Sequence, residues 1–400
     1  MSLDLTKVAA QVGNMVARLK ASGEQRQKRL QTALDTLERK SIDIEALKKK
    51  IDASQTTWLV AGLVDGLGLH YKPPPLPPEF SVLATDGSHI DVDRHQSTRC
   101  YLINIGAVAL QYGSSPQALL DSSPSLYFGD EELVIAPDGR GRAQPIEGAL
   151  LGIKRGVDEC RRLAEIAKEL PKDSSALALV DGSLILWGLA GQTYPEFVTE
   201  ALLIKGFLRH LEEIKRLNAE RRLALASYIS FPRSTDVVNA LRVALCPHEI
   251  IDTDQLCGEC ASRECEAVAG VQDREIFSSI LEEGERSALF SSQSKIVKDH
   301  YGGHWVYFFY LRTDGEIARV EIPQWVAQSG DLLDLTHGLV LDQCRRGQGY
   351  PVALAEAHEQ AVVTGADRET FWQLVESLLI GEHLPAPTSA KSFSKRTRWV

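Results

Sequence analysis

Val82-Leu83-Ala84-Thr85-Asp86-Gly87-Ser88 reads as an apolar strand that runs out through a carboxylate into a glycine turn. Ala176-Leu177-Ala178-Leu179-Val180-Asp181-Gly182-Ser183-Leu184 repeats the phrase later in the chain. A carboxylate leaving a buried strand is hard to place, because the strand around it is dry and a charge needs water or a partner. Adjacent strands lie about 4.8 Å apart, so two such carboxylates at equal heights can share one partner. A divalent ion is the usual one. The plainer reading is that each Asp caps its own turn, since Asp-Gly-Ser is a common turn sequence.

Around these phrases strand and helix patterns alternate. Strands are predicted over 81–90 and 100–112, and a helix over 148–169 with Leu151, Ile153, Val157, Leu163 and Ile166 on one side. A strand over 176–186, a helix over 194–217 and a strand over 223–230 follow. Strands that pass through helices into further strands predict an α/β fold with a mixed sheet. His304 to Leu311 and Ile317 to Ile322 predict a hairpin about Arg312-Thr313-Asp314-Gly315, an Asp-Gly turn. The segment 331–380 reads as helical, broken at Gly347-Gln348-Gly349-Tyr350-Pro351.

Towards the other end, residues 3–52 carry almost no turn signal beyond Gly13 and Gly23. Leu30, Leu34, Leu37, Ile44 and Ile51 step by four and three, with Ser41 and Lys48 interrupting the seam. That pattern predicts a helical hairpin or coiled-coil arm, which either packs on its own domain or forms a dimer. Pro73-Pro74-Pro75-Leu76-Pro77-Pro78 is a stiff extended linker. The layout expected is an arm over 1–54, a linker over 55–80, an α/β domain over 81–385 and a basic tail over 386–400.

The chain has 400 residues, 44% apolar and 24% charged, values ordinary for a globular protein with a sizeable core. No apolar run approaches the roughly 18 residues of a membrane span, and the N-terminus lacks a signal-peptide pattern. A cytoplasmic protein is expected. The net charge of -10 argues against a uniformly basic surface wrapped around nucleic acid. It leaves a nuclease open, because metal-binding carboxylates add negative charge and the contact surface can be a local patch or a partner's.

Seven cysteines, an odd number, speak against a disulfide framework. Four fall together in an insert over 246–265: Cys246, Cys257, Cys260 and Cys265, with Cys257 and Cys260 forming a Cys-x-x-Cys. The spacing fits structural zinc in a four-thiolate site or an iron–sulfur cluster. A closed four-thiolate site has no open position, so it reads as a folding staple or docking knob.

Further candidates are weaker alone. A third acid is expected on the 148–169 helix, at Glu159 or Glu165. Pro351 suits a helix start, and His358 then lies on the face of Leu354 and Ala361. Such a histidine is a satisfied core residue, or as a neutral imidazole it is a ligand for a transition metal such as manganese. The stretch Arg286 to Lys295 mixes hydroxyls and cations, so Arg286, Ser294 and Lys295 either hold phosphates or form a polar turn. Lys391, Lys395, Arg396, Arg398 and Trp399 make a basic tail that touches nucleic acid or stays disordered.

Over roughly residues 80–380 the chain resembles NurA, the nuclease that works with the HerA hexameric ATPase on DNA ends. The resemblance rests on an ordered set: the strand ending in Asp86-Gly-Ser, the strand ending in Asp181-Gly-Ser, Ser294-Lys295, and Tyr350-Pro351 with His358 eight residues after the tyrosine. Ala318-Arg319-Val320-Glu321-Ile322-Pro323 and Ala366-Asp367-Arg368-Glu369 look like the bacterial branch. It implies an RNase H-like fold and a manganese-dependent nuclease, with magnesium as the alternative ion, acting as a 5′-to-3′ exonuclease and single-strand endonuclease. By position, Asp86 and Asp181 correspond to metal-binding aspartates, His358 to the histidine near the metals and Tyr350 to the site tyrosine. For the family's helix glutamate, Glu159 is preferred over Glu165 because the arginine before it resembles the family pattern. A homodimer seated on the hexameric motor is also implied. The cysteine insert departs from the archaeal members. Two other readings compete: an RNA-directed or structure-specific nuclease on the same fold, and a non-catalytic adaptor docked on an ATPase.

Overall fold

The computed structural model describes residues 3–39, 42–93, 98–191 and 194–384. The chain divides into two compact units, one of Met1–Lys72, Ser230–Ser294 and Tyr307–Arg319, the other of Pro73–Ile229, Lys295–Val306 and Val320–Val400. The second is an α/β unit with a large mixed sheet. Its strands β1 (Phe80–Ile90), β2 (Tyr101–Tyr112) and β3 (Gln117–Tyr127) form an antiparallel meander. Helix α1 (Ala149–Lys168) then crosses to β4 (Ser175–Asp181), which pairs parallel to β1. A second crossover starts as Glu196–Thr199, widens into a π-helical stretch Glu200–Leu208 and closes as Arg209–Leu217. It leads to β5 (Arg222–Ile229), parallel to β4. The order is therefore β3-β2-β1-β4-β5, with Val320–Pro323 following beside β5.

The helices cover the sheet because β1, β4 and β5 are apolar on both faces, as strands buried on both sides must be. On one face α1 lies over β1 and β2, and Leu150, Val157, Leu163 and Ile166 join Ala178, Val180, Leu203 and Leu225 in one core. On the other face α2 (Gly330–Arg346) and α3 (Val352–Ala361) pack, α3 directly on β1 and β2. The last helix, α4 (Gly365–Gly381), opens with a capping box of Thr364 and Asp367 and buries Trp372 beside Ile90 and Cys100.

Most of these elements match the spacing read from the sequence, with three differences: β3 lies where no strand is predicted, β1 runs on through Gly87 and Ser88 to Ile90 where a glycine turn is expected, and the third concerns β4. The strand expected over 176–186 stops at Asp181, because Gly182 at φ 81° turns the chain, and Trp187–Leu189 continues as a 3-10 turn.

The first unit begins with the helix Leu5–Leu37, capped by Asp4, and continues with Ile44–Ala53, capped by Asp43. The expected seam turns into this unit's own core. Ala33, Leu37, Leu47 and Ile51 are buried, with Leu30, Leu34 and Ile44 packed on them, among Val237, Leu241, Phe277, Phe290 and Tyr310. Ser41 lies outside the described residues. The first half of the helix is different: Leu5, Val12, Met15, Val16 and Leu19 are all exposed, as is Leu3 just before it. Short strands Ala61–Leu63 and Phe290–Ser292 sit side by side, Phe290 and Ser291 pair with Phe308 and Tyr307 of the strand Val306–Arg312, and Thr313 to Glu316 turns that strand into Ile317.

Candidate active site

The β1–β4 register ends with Thr85 opposite Val180, so the next step places Asp86 and Asp181 at the same height on neighbouring strands. Strand alternation then sorts the side chains around Asp86. Asp86 and Ser88 face α3, where Asp86 Oδ2 lies 2.7 Å from His358 Nδ1 and the Ser88 hydroxyl donates to the Ala361 carbonyl at 2.5 Å. Thr85 and Gly87 face α1, and the Thr85 hydroxyl donates to the Glu159 carbonyl at 3.0 Å.

Two glycines let the helices come this close. Gly106 pairs directly with Asp86 across β1 and β2, and a Cβ on it would lie 2.2 Å from the Ala357 carbonyl oxygen. Without one, α3 rests on bare strand backbone and His358 reaches over to Asp86. Although Leu354 and Ala361 are buried, the His358 ring is exposed, so it is not the satisfied core residue that its spacing also allowed. Gly87 plays the same part on the other face, where a Cβ would meet Glu159 Oε1 at 2.6 Å. Sequence reading passed over Gly106, although a glycine inside the strand Ile103 to Ala109 is itself a signal of close backbone approach.

Glu159, not Glu165, is the helix acid turned toward the sheet. Glu165 pairs with Arg162 at 3.3 Å and is partly exposed. Glu159 is buried, and its Oε1 has no hydrogen-bond partner although Arg155 Nε stands 3.0 Å away in an ion pair. Burial pushes the Glu159 carboxyl up to about 8, with Asp86 and Asp181 adding to the rise and Arg155 opposing it. Asp181 is also raised, chiefly by burial and then by Asp86, against the hydrogen bond from Tyr350.

Tyr350 donates to Asp181 Oδ1 at 3.0 Å, and burial together with Asp181 raises its hydroxyl far above the ordinary tyrosine range. Its ring meets that of Tyr228 edge-on, with centroids 5.5 Å apart at 87°. The turn after Asp181 is held from beneath. Buried Glu321 accepts from the Ser183 hydroxyl at 2.8 Å and the Leu184 N–H at 2.9 Å, and Tyr301 bridges Leu186 N–H and the Leu184 carbonyl. Tyr228, Glu321 and Tyr301 carried no local sequence signal for this role.

The donor set suits a hard divalent cation: three carboxylates, of which Glu159 and Asp181 are raised by burial and by the charge of Asp86, one with a buried oxygen lacking a hydrogen bond, beside an exposed imidazole. Glu159 approaches from the opposite face of β1, however. Among the described residues no three His, Cys, Asp or Glu side chains are gathered tightly enough to hold an ion as they stand.

That statement covers the cysteines too. Cys246, Cys257, Cys260 and Cys265 are free thiols and electrostatic neighbours. Burial raises Cys257 and Cys265, while the Arg263 N–H and the Ser262 hydroxyl lower Cys260 to about 7.

Of the other candidates, Arg286 is buried with its guanidinium 4.1 Å from the centre of the Tyr71 ring, and Ser294 is buried and accepts from Ser292. Only Lys295 of that trio is exposed. The basic tail with Lys391, Lys395, Arg396, Arg398 and Trp399 lies outside the described residues. No helix among the described residues is long and apolar enough to cross a membrane.

No curated protein matches the chain. Residues 80–363, well over half of its length and the stretch that contains the whole carboxylate cluster, match the NurA domain. The chain therefore belongs to the NurA family, which brings a nuclease-type role in DNA end processing.

Proposed function

We propose that the chain is a metal-dependent DNA nuclease, a 5′-to-3′ exonuclease and single-strand endonuclease that trims ends in double-strand break repair alongside a HerA-type ATPase. The observation that carries this reading is the meeting of Asp86, Asp181, Tyr350 and His358 at one end of the β1–β4 pair, with Glu159 brought up through the gap at Gly87. A meander of three antiparallel strands continued by two parallel ones supports an RNase H-like assignment.

Asp86, Glu159, Asp181 and His358 are the residues that would hold divalent ions, manganese by preference. When bound, two such ions supply an activated water and neutralise charge at the leaving oxygen. The chain's own groups prepare the ground. Glu321 and Tyr301 fix the turn that presents Asp181. The Tyr350 hydroxyl stays protonated over the working pH range, so it donates, to Asp181 here and to a phosphate oxygen when substrate is bound. Arg155 keeps a positive charge beside Glu159, which favours the ionised carboxylate that a cation needs.

Zinc or an iron–sulfur cluster is proposed at Cys246, Cys257, Cys260 and Cys265, supported by the Cys-x-x-Cys spacing and by the four thiols being free within one insert. A homodimer is proposed through the exposed apolar stripe of the Leu5–Leu37 helix. A cytoplasmic location fits the free cysteines.

Cleavage of end-labelled DNA in manganese tests the reading. Asp86→Ala protein that melts like wild type is expected to leave the label intact; cleavage at the wild-type rate sinks the metal site. Asp181→Asn is expected to lose activity while keeping or gaining melting temperature, because a carboxylate cluster without its ion repels itself.

A further inference from the structure

The first unit holds a cavity that the nuclease reading does not use. It measures about 330 Å³ and is lined by Phe231, Arg274, Glu275, Arg312, Asp314 and Glu316, among others. Phe231 is the odd member. It adopts φ 46°, a left-handed conformation that a bulky side chain avoids, and yet the residue is 60% exposed. Neither burial nor backbone preference accounts for that position. The surroundings impose it: Glu316 accepts from the Phe231 N–H at 2.7 Å and from the Ser230 hydroxyl at 2.8 and 2.9 Å.

Arg274 backs the Phe231 ring. The Arg274 guanidinium sits 3.5 Å from its centroid, and Arg274 also reaches the Phe231 carbonyl at 3.5 Å. With Arg274 over the ring and the residue still 60% exposed, much of the ring faces solvent. Arg26 and Glu275 neutralise each other at 2.8 Å, and Arg312 spends Nη1 on the Ser278 and Leu281 carbonyls. Such a slot suits a flat, uncharged aromatic group better than a phosphate. Strain held by surrounding contacts at an exposed ring is the pattern of a functional position.

We propose that Phe231 is a stacking platform for one nucleobase of single-stranded DNA, with Arg274 stiffening the ring from behind. The exposed carboxylate of Asp314 supplies an acceptor for an exocyclic amine, so cytosine and adenine are favoured over thymine. The inference rests on the DNA nuclease reading for its ligand class, and deepens it by giving the chain a hold on unpaired strand.

Anisotropy of labelled single-stranded oligonucleotides, measured in EDTA so that no cleavage intervenes, tests it. Phe231→Ala is expected to weaken binding of oligo-dC and oligo-dA by about tenfold, in keeping with the loss of one stacked base. It should leave blunt duplex binding unchanged, and Phe231→Trp should restore the single-strand affinity. Phe231→Gly separates function from folding: relief of the left-handed strain should raise the melting temperature while single-strand affinity still falls. Equal binding by Phe231→Ala and wild type, with Asp86→Ala still abolishing cleavage, refutes the base site and leaves the nuclease intact. No affinity of the wild type for single strands, with cleavage in manganese intact, refutes the base site alone, and no cleavage by the wild type in manganese refutes the nuclease reading.

Discussion

Glu159 carries the heaviest electrostatic load in the cluster, and its behaviour with pH follows from that. Its carboxyl is raised from the ordinary 4.5 to about 8, first by burial. A group raised in the folded state stabilises the fold fully below its unfolded value and loses that contribution as pH climbs through the folded one. Metal-free protein should therefore weaken between about pH 5 and pH 8. Glu159→Gln removes the titration. In EDTA its stability relative to wild type is expected to rise by about 2–4 kcal/mol from pH 5 to pH 8, read by urea melts. Manganese at pH 8 should then stabilise wild type and leave the variant unmoved. A relative stability that is flat with pH would show the carboxylate to be solvated. From sequence, Glu159 and Glu165 were separable only by the arginine before the first; Gly87, the residue that makes room for Glu159, stood in view as a mere turn.

Between elements the decisive contact is helix α3 on strand β2. The strands and helices were legible in the sequence because their apolar periods, 2 and 3.6, are local. Contacts such as Gly106 under Ala357, or Tyr228 against Tyr350, join positions far apart in the chain and leave no periodic trace. Gly106→Ala is the direct probe. Its Cβ would lie 2.2 Å from the Ala357 carbonyl, so α3 must shift and His358 with it. A loss of about 1–3 kcal/mol in stability is expected from overpacking, with cleavage falling by at least about tenfold. Retained stability with unchanged cleavage would mean that His358 need not touch Asp86.

The helix Leu5–Leu37 gives a second probe at this scale. Leu5, half-buried Val8, Val12, Met15 and Leu19 step by three and four, a coiled-coil seam along a stretch that its own unit leaves largely uncovered. The double variant Val12→Asp, Leu19→Asp is expected to sediment as a monomer at the wild-type melting temperature. A dimer that persists places the interface elsewhere.

Across the whole molecule, the chain passes back and forth between two units, and Ser230–Ser294 joins the N-terminal helices in the first. No local pattern encodes such interleaving. It also explains why the arm's seam is spent at home: Leu37, Leu47 and Ile51 find Leu241 and Phe277 from the inserted segment. If the four cysteines staple this unit, Cys257→Ser with Cys260→Ser should lower the melting temperature by several degrees and leave cleavage by the folded fraction intact. A coloured protein after anaerobic purification would assign iron–sulfur, and a colourless one zinc.

At a net charge of -10 the molecule has carboxylates to spare, and the proposed role of a small set of them is to hold ions. Isothermal titration of manganese into protein whose cysteine site is already loaded measures this directly. Saturable uptake that vanishes in Asp86→Ala and Asp181→Asn is the predicted result. No uptake by the wild type, or uptake that both variants keep, would contradict it.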